Sequence, residues 1–155
     1  PARAITEFVD DLSNWYVRRC RERYWGKEMT ADKEAAYMTL FTVLKTMALL
    51  SAPFTPFMAE EIYQNLVRTV DASAPESVHL CDFPAVNEAM IDPELEAHMA
   101  EALEIVVLGR AARNAANVKN RQPLSTMYVQ GAELPPMFVS IVADEAALSL
   151  CTDLL

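Results

Sequence analysis

At 155 residues, 52% apolar and 23% charged, the chain is long enough to bury one core and too apolar to be disordered. Its longest apolar run, residues 37–50, is cut by Thr39, Thr42, Lys45 and Thr46, so neither a membrane span nor a secretory leader is expected. The net charge of −9 is unevenly spread: residues 1–27 hold six bases and four acids, residues 60–104 eleven acids and one base, and residues 105–132 four bases and no acid.

Residues 2–25 have the period of an amphipathic helix whose beginning lies outside the chain. Ile5, Phe8, Val9, Leu12, Trp15, Tyr16 and Cys20 form the apolar face, with Asn14, Arg18 and Arg21 on the polar one. Trp15 sits on the apolar side and reads as core rather than as a surface for stacking. Arg19 and Arg23 lie at the seam, where the stem packs and the head meets an acid of another helix. Gly26 closes this helix and Thr30 caps the next, whose stripe runs through Ala36, Tyr37, Leu40, Phe41, Leu44, Met47, Ala48 and Leu50. Thr55 and Pro56 open a third helix. Glu60 and Glu61 point about 100° apart, which makes them helix-end charges rather than a catalytic pair.

Residues 71–87 read as irregular, with an extended piece over residues 77–84; His79 and His98 lack partners for acid–base work. A fourth helix starts at Asp92-Pro93, with Glu94 and Glu96 in its first turn. Leu95, Met99, Leu103 and Val106 line its apolar side. Residues 125–131 alternate as a short strand, and Pro135-Pro136 opens a short helix. Cys20, Cys81 and Cys151 are odd in number and widely spaced, which fits reduced thiols in a cytoplasmic protein and no metal site.

The most distinctive stretch is residues 105–124, IVVLGRAARNAANVKNRQPL. On a helix, Arg110, Arg113, Asn114 and Asn117 share an arc of about 100°, while Ala111, Ala112, Ala115 and Ala116 offer a smooth side for close packing. Lys119, Arg121 and Gln122 follow, and Pro123 is expected to end the helix. A face of Arg and Asn without acids suits an anionic partner. The competing reading places these arginines inside the bundle, paired with acids such as Asp10 or Asp11.

Two segments, Asp11-Leu-Ser-Asn-Trp-Tyr-Val-Arg-Arg and Leu50-Ser-Ala-Pro-Phe-Thr-Pro-Phe-Met-Ala-Glu-Glu-Ile-Tyr, resemble the anticodon-binding helical domain of class Ia aminoacyl-tRNA synthetases. Val78-His-Leu-Cys-Asp-Phe-Pro, Leu108-Gly-Arg-Ala-Ala-Arg-Asn and Val118-Lys-Asn-Arg-Gln-Pro-Leu look most like the isoleucyl branch. The likeness covers roughly residues 2–130. It implies a mainly α, antiparallel helical bundle over residues 1–123, followed by the start of a small α/β appendage over residues 124–155.

The implied partners are tRNA, most specifically the anticodon arm of isoleucine tRNA, and the catalytic and editing domains of a parent chain. Arg110, Arg113, Lys119 and Arg121 then become phosphate contacts, with Arg18 and Arg21 as a second basic patch. Asn14, Asn114, Asn117 and Gln122 become candidates for base edges. ATP and magnesium are implied for the parent, and zinc elsewhere in it, but no cofactor, catalytic residue or metal ligand is assigned to these residues. The rivals are a valyl, leucyl or methionyl relative and a helical module for an acidic protein; a catalytic domain is disfavoured because no acid–base pair flanks a nucleophile.

Overall fold

The computed structural model describes residues 2–129 and 134–147. It is mainly α, in line with the periodicity, and its contacts gather into two compact units, Pro1–Val86 and Asn87–Leu155. The boundary expected between residues 123 and 124 falls inside the second unit.

In the first unit, α1 (Ala2–Asp11) runs into a π-helical stretch, Leu12–Val17, and after Cys20 resumes as α2 (Arg21–Trp25). The wider turn changes the phase of the apolar stripe. Cys20 is buried and Leu12, Trp15 and Tyr16 half-buried, whereas Phe8 and Val9 of the expected face are exposed. The next helix, α3 (Ala31–Ser51), begins as its sequence indicates, with the Thr30 hydroxyl accepting from the Lys33 N–H at 3.2 Å. Arg23 meets an acid across helices: its Nε and Nη2 each lie 2.7 Å from the Asp32 carboxylate. Along α3, the hydroxyls of Thr39, Thr42, Thr46 and Ser51 donate to the carbonyls of Ala35, Met38, Thr42 and Met47 on the preceding turn.

Helix α4 (Pro56–Tyr63) continues as a second π-helical stretch, Gln64–Arg68. Thr55 occupies the capping position without capping, because its hydroxyl is turned back to the Ser51 carbonyl at 3.3 Å. Tyr63 is 1% exposed and centres a core with Ala52, Ala59, Val67 and Val78. Full burial of one large side chain stabilises by about 1.5–3 kcal/mol.

One face of this helix also holds the irregular residues 72–78 by their backbone. Tyr63 Oη donates to the Pro75 carbonyl at 3.0 Å, Gln64 Nε2 to that of Glu76, and Arg68 Nη1 to those of Ala72 and Ala74. Glu60 accepts from Gln64 Nε2 (2.7 Å), Ser77 Oγ (2.8 Å) and the Val78 N–H (2.9 Å). Glu60 is therefore an anchor for this segment and not merely a helix-end charge. The same anchoring turns Val78–Leu80 into a 3₁₀ turn where an extended piece was expected.

In the second unit, α5 (Pro93–Ala115) opens as the Asp92-Pro93 pair predicts, the Asp92 carboxylate accepting from the Leu95 N–H at 3.0 Å. Ala102, Ile105 and Val106 are buried on α5, with Phe138, Val142 and Ala146 buried on and just beyond α6 (Pro136–Glu145). His98 is half-buried, its ring 5.3 Å from that of Phe138.

Three expectations fail here. The helix ends at Ala115, well short of Pro123, because Asn117 adopts φ 55 and closes it with a Schellman motif. The Val118 N–H reaches the Arg113 carbonyl at 2.9 Å and the Asn117 N–H that of Asn114 at 3.1 Å. Ala111, Ala112, Ala115 and Ala116 are exposed instead of packed, since the stripe facing α6 is the one that carries Val106 and Arg113. The expected strand does not form over the described residues 125–129; only Leu124 and Val129 make isolated bridges. The rest of that strand, Cys151 and the tail of the α/β appendage lie outside the described residues.

Candidate nucleic-acid interface

The first unit carries one basic surface. Asn14 is exposed on the π-helical stretch, and its carbonyl accepts from Arg18 Nε at 2.7 Å. The Arg18 guanidinium lies 5.8 Å from the centre of the Trp15 ring, so this arginine covers a half-buried aromatic while remaining exposed. One turn on, the Arg21 guanidinium stands 5.5 Å from the centre of the Trp25 ring, and that ring is 75% exposed. Asn14, Arg18 and Arg21 thus follow one another from the π-helical stretch into α2. Trp25 was missed from sequence; the available signal was the i,i+4 spacing that places an arginine beside an aromatic.

The second unit carries the other surface, and here the candidates separate. Arg113 is 6% exposed. Its Nη1 donates to the carbonyls of Lys119 (3.1 Å) and Gln122 (2.7 Å), and its Nη2 to that of Ala146. All three acceptors are backbone, so this guanidinium is turned to carbonyls of its own unit and not to an acid of the bundle. It lies on the buried stripe that descends from Val106, and its planar fork suits several carbonyls at once. Ala146 is the residue that closes α6, so the cation also sits at the negative end of that helix.

Arg110 is partly engaged: its Nη2 lies 2.7 Å from Glu145 Oε2, with 41% of its own side chain exposed against 4% for Glu145. Its charge is offset by that partner. Asn117 spends its backbone in the Schellman turn, which takes its side chain off the helical arc expected to align it with Arg110 and Arg113. Asn114 is exposed on the last turn of α5.

Lys119, Arg121 and Gln122 are exposed on the loop that Arg113 shapes. The Gln122 N–H closes a turn onto the Lys119 carbonyl at 2.9 Å, and Arg113 binds the same carbonyl from the inside. The Leu124 N–H then ties the loop's exit to the Ala147 carbonyl at 3.2 Å. A short segment carrying two outward cations is therefore held by its own carbonyls. Among the described residues no salt bridge joins either cation to a carboxylate, an arrangement that suits a polyanion.

Among the described residues no three His, Cys, Asp or Glu side chains come together as a metal-binding group, and no helix is long and apolar enough to cross a membrane.

The profile of the anticodon-binding domain of tRNA ligase matches residues 1–128. An isoleucine–tRNA ligase of Clostridium tetani is 56% identical over 144 residues, 93% of this chain and 14% of that protein. Those of Dehalococcoides mccartyi (strain CBDB1) and Thermus thermophilus are 53% and 52% identical over 127 and 129 residues, covering 82% and 83% of this chain. The chain spans 12–14% of the length of these relatives.

Proposed function

Because the chain belongs to the anticodon-binding domain family of tRNA ligases, we propose that it docks the anticodon arm of isoleucine tRNA. In this reading it positions that tRNA for ATP-dependent aminoacylation on a catalytic domain of a longer, cytoplasmic protein. The observation that carries it is the loop of Lys119, Arg121 and Gln122, exposed and held from within by Arg113.

In mechanism, Lys119 and Arg121 neutralise backbone phosphates and release counterions, while Arg110 contributes less because Glu145 offsets it. Asn114 and Gln122, with both donors and acceptors, read unpaired base edges beside them. Asn14, Arg18 and Arg21 form the second contact. ATP and magnesium serve the parent's catalytic domain, any zinc belongs elsewhere in the parent, and no step of recognition by these residues uses them. The match to isoleucine–tRNA ligases supports isoleucine over its sister amino acids.

Fluorescence-polarisation binding of isoleucine tRNA and of the same tRNA with a methionine anticodon, each at two salt concentrations, tests the reading. Preference for the isoleucine anticodon with affinity falling as salt rises is the expected result. Equal binding of both RNAs would reduce the surface to a nonspecific polyanion site, and no binding at low salt would overturn it.

A further inference from the structure

The short helix α2 is fixed by one side and exposed on the other. Cys20 is buried, Arg23 holds the Asp32 carboxylate, and the Tyr24 ring lies 5.1 Å from that of Tyr37. Lys33 Nζ donates to the Gly26 carbonyl at 2.6 Å and secures the far end. Positions 20, 23 and 24 thus face α3, which by helical geometry turns positions 21 and 25 outward together. What they present is an indole 75% exposed with a guanidinium 5.5 Å from its centre.

A large aromatic held out in water beside a cation, on a backbone that is already ordered, has the makings of a stacking platform. The indole offers a π-face, and the guanidinium can lie against a base or meet the phosphate of the same nucleotide. Along the chain around it, residues 18–28 hold five bases, Arg18, Arg19, Arg21, Arg23 and Lys27, to two acids, Glu22 and Glu28, and Glu22 projects about 100° away from Arg21. That balance favours a nucleotide over an acidic protein, which would need no exposed indole.

We propose that Trp25 and Arg21 form a stacking site for one unpaired nucleobase of an RNA loop, with the indole as the platform and Arg21 holding the adjoining phosphate. This rests on the tRNA-docking reading and deepens it: the site selects an unstacked nucleotide by its exposed face, not by its edge. Because any base has such a face, the site adds affinity and register without adding sequence preference.

The test is binding of a fluorescent stem–loop RNA carrying the isoleucine anticodon to the wild-type chain, Trp25→Ala and Trp25→Phe. Loss of one stacked base predicts about 5- to 100-fold weaker binding for Trp25→Ala and a much smaller loss for Trp25→Phe. Thermal melting should be unchanged, since the ring is mostly in water, so a folding defect would be visible separately. Stem–loops with a single abasic loop nucleotide then locate the partner. At one position the abasic RNA should bind wild type as weakly as Trp25→Ala binds the intact RNA, with no further loss when the two changes are combined. Wild-type binding with Trp25→Ala equal to it, or losses that add at every position, would overturn the platform while leaving tRNA docking intact. If the wild-type chain binds no stem–loop while Lys119→Ala and Arg121→Ala equally change nothing, the docking reading itself fails and takes the platform with it.

Discussion

Arg113 on α5 donates from Nη2 to the carbonyl of Ala146, the residue at which α6 ends, while its Nη1 holds the loop carbonyls of Lys119 and Gln122. One buried guanidinium thus closes a helix and shapes the loop that displays Lys119 and Arg121. Replacing it by Ala removes a donor from three acceptors, of which the Lys119 carbonyl keeps a second in the Gln122 N–H, and charge-assisted bonds of this kind are worth about 1.5–3 kcal/mol each before relaxation. Arg113→Ala is expected to destabilise by roughly 2–4 kcal/mol, seen as a lower midpoint in thermal or urea denaturation followed by circular dichroism. Arg113→Lys should recover little, since an ammonium lacks the planar fork. An unchanged midpoint would show that the cluster contributes nothing to stability.

Lys119→Ala and Arg121→Ala should behave in the opposite way. Both side chains are exposed, so stability should stay within about 0.5 kcal/mol of wild type. Affinity for tRNA should fall for either, and the slope of log K against log salt should become shallower by about one phosphate contact. An affinity loss with an unaltered slope would mean that the residue touches something other than a phosphate.

Asn117 separates a backbone role from a side-chain one. At φ 55 glycine is at ease, so Asn117→Gly should keep the helix end and alter stability by only a few tenths of a kcal/mol, whereas Asn117→Val should cost about 1–2 kcal/mol. If the Asn117 amide also reads a base, Asn117→Gly will bind tRNA more weakly at unchanged stability. Equal affinity would confine the residue to its turn.

Glu60 sets an acid-side dependence. Hydrogen bonds from Gln64 and Ser77, and then the Val78 N–H, hold its carboxyl below the ordinary value of 4.5. A depressed folded value means stability that is present above about pH 4.5 and is lost as pH falls through the folded value. Glu60→Gln should therefore differ most from wild type near neutrality, and the gap should narrow in urea midpoints measured towards pH 3. A gap that does not change with pH would contradict the ionic role. On the alkaline side, burial and the Cys81 contact push the Tyr63 phenol up to about 12. That raised value gives stability that is intact below pH 10 and lost as pH climbs towards 12.

Much of the architecture could be read from local chemistry. Thr30, Asp92 with Pro93, and Pro135 with Pro136 mark helix starts by rules that depend on a few neighbouring atoms, and the structure follows each. The failures lie where the deciding partner is distant in sequence or where the backbone departs from 3.6 residues per turn. Nothing around Glu60 announces that Ser77 and Val78 will come to it. Likewise, burial of Arg113 was only the competing reading of its sequence, and its acceptors are carbonyls 6, 9 and 33 residues away rather than the acids that reading named. The early end of α5 was legible in principle, since Asn is among the few residues at ease with positive φ, yet Pro123 offered a louder stop. For the candidate interface, residue type marked a basic stretch, and only packing could divide its cations into those that build and those that reach out.

The hydroxyls along α3 have one more effect. Thr42 and Thr46 line an open cleft of about 380 Å³ with Ala4, Ile5, Phe8, Val43, Met47 and Leu50. Both spend their donors on the helix behind them, at 2.8 Å. A threonine whose hydroxyl is turned inward leaves its methyl as the part available to a visitor. Judged by residue names the cleft is mixed, yet to a water molecule its walls are close to hydrocarbon. Its wetting is governed by the direction of two C–O bonds, and a change of one rotamer, with no change of residue, would make it a different kind of surface.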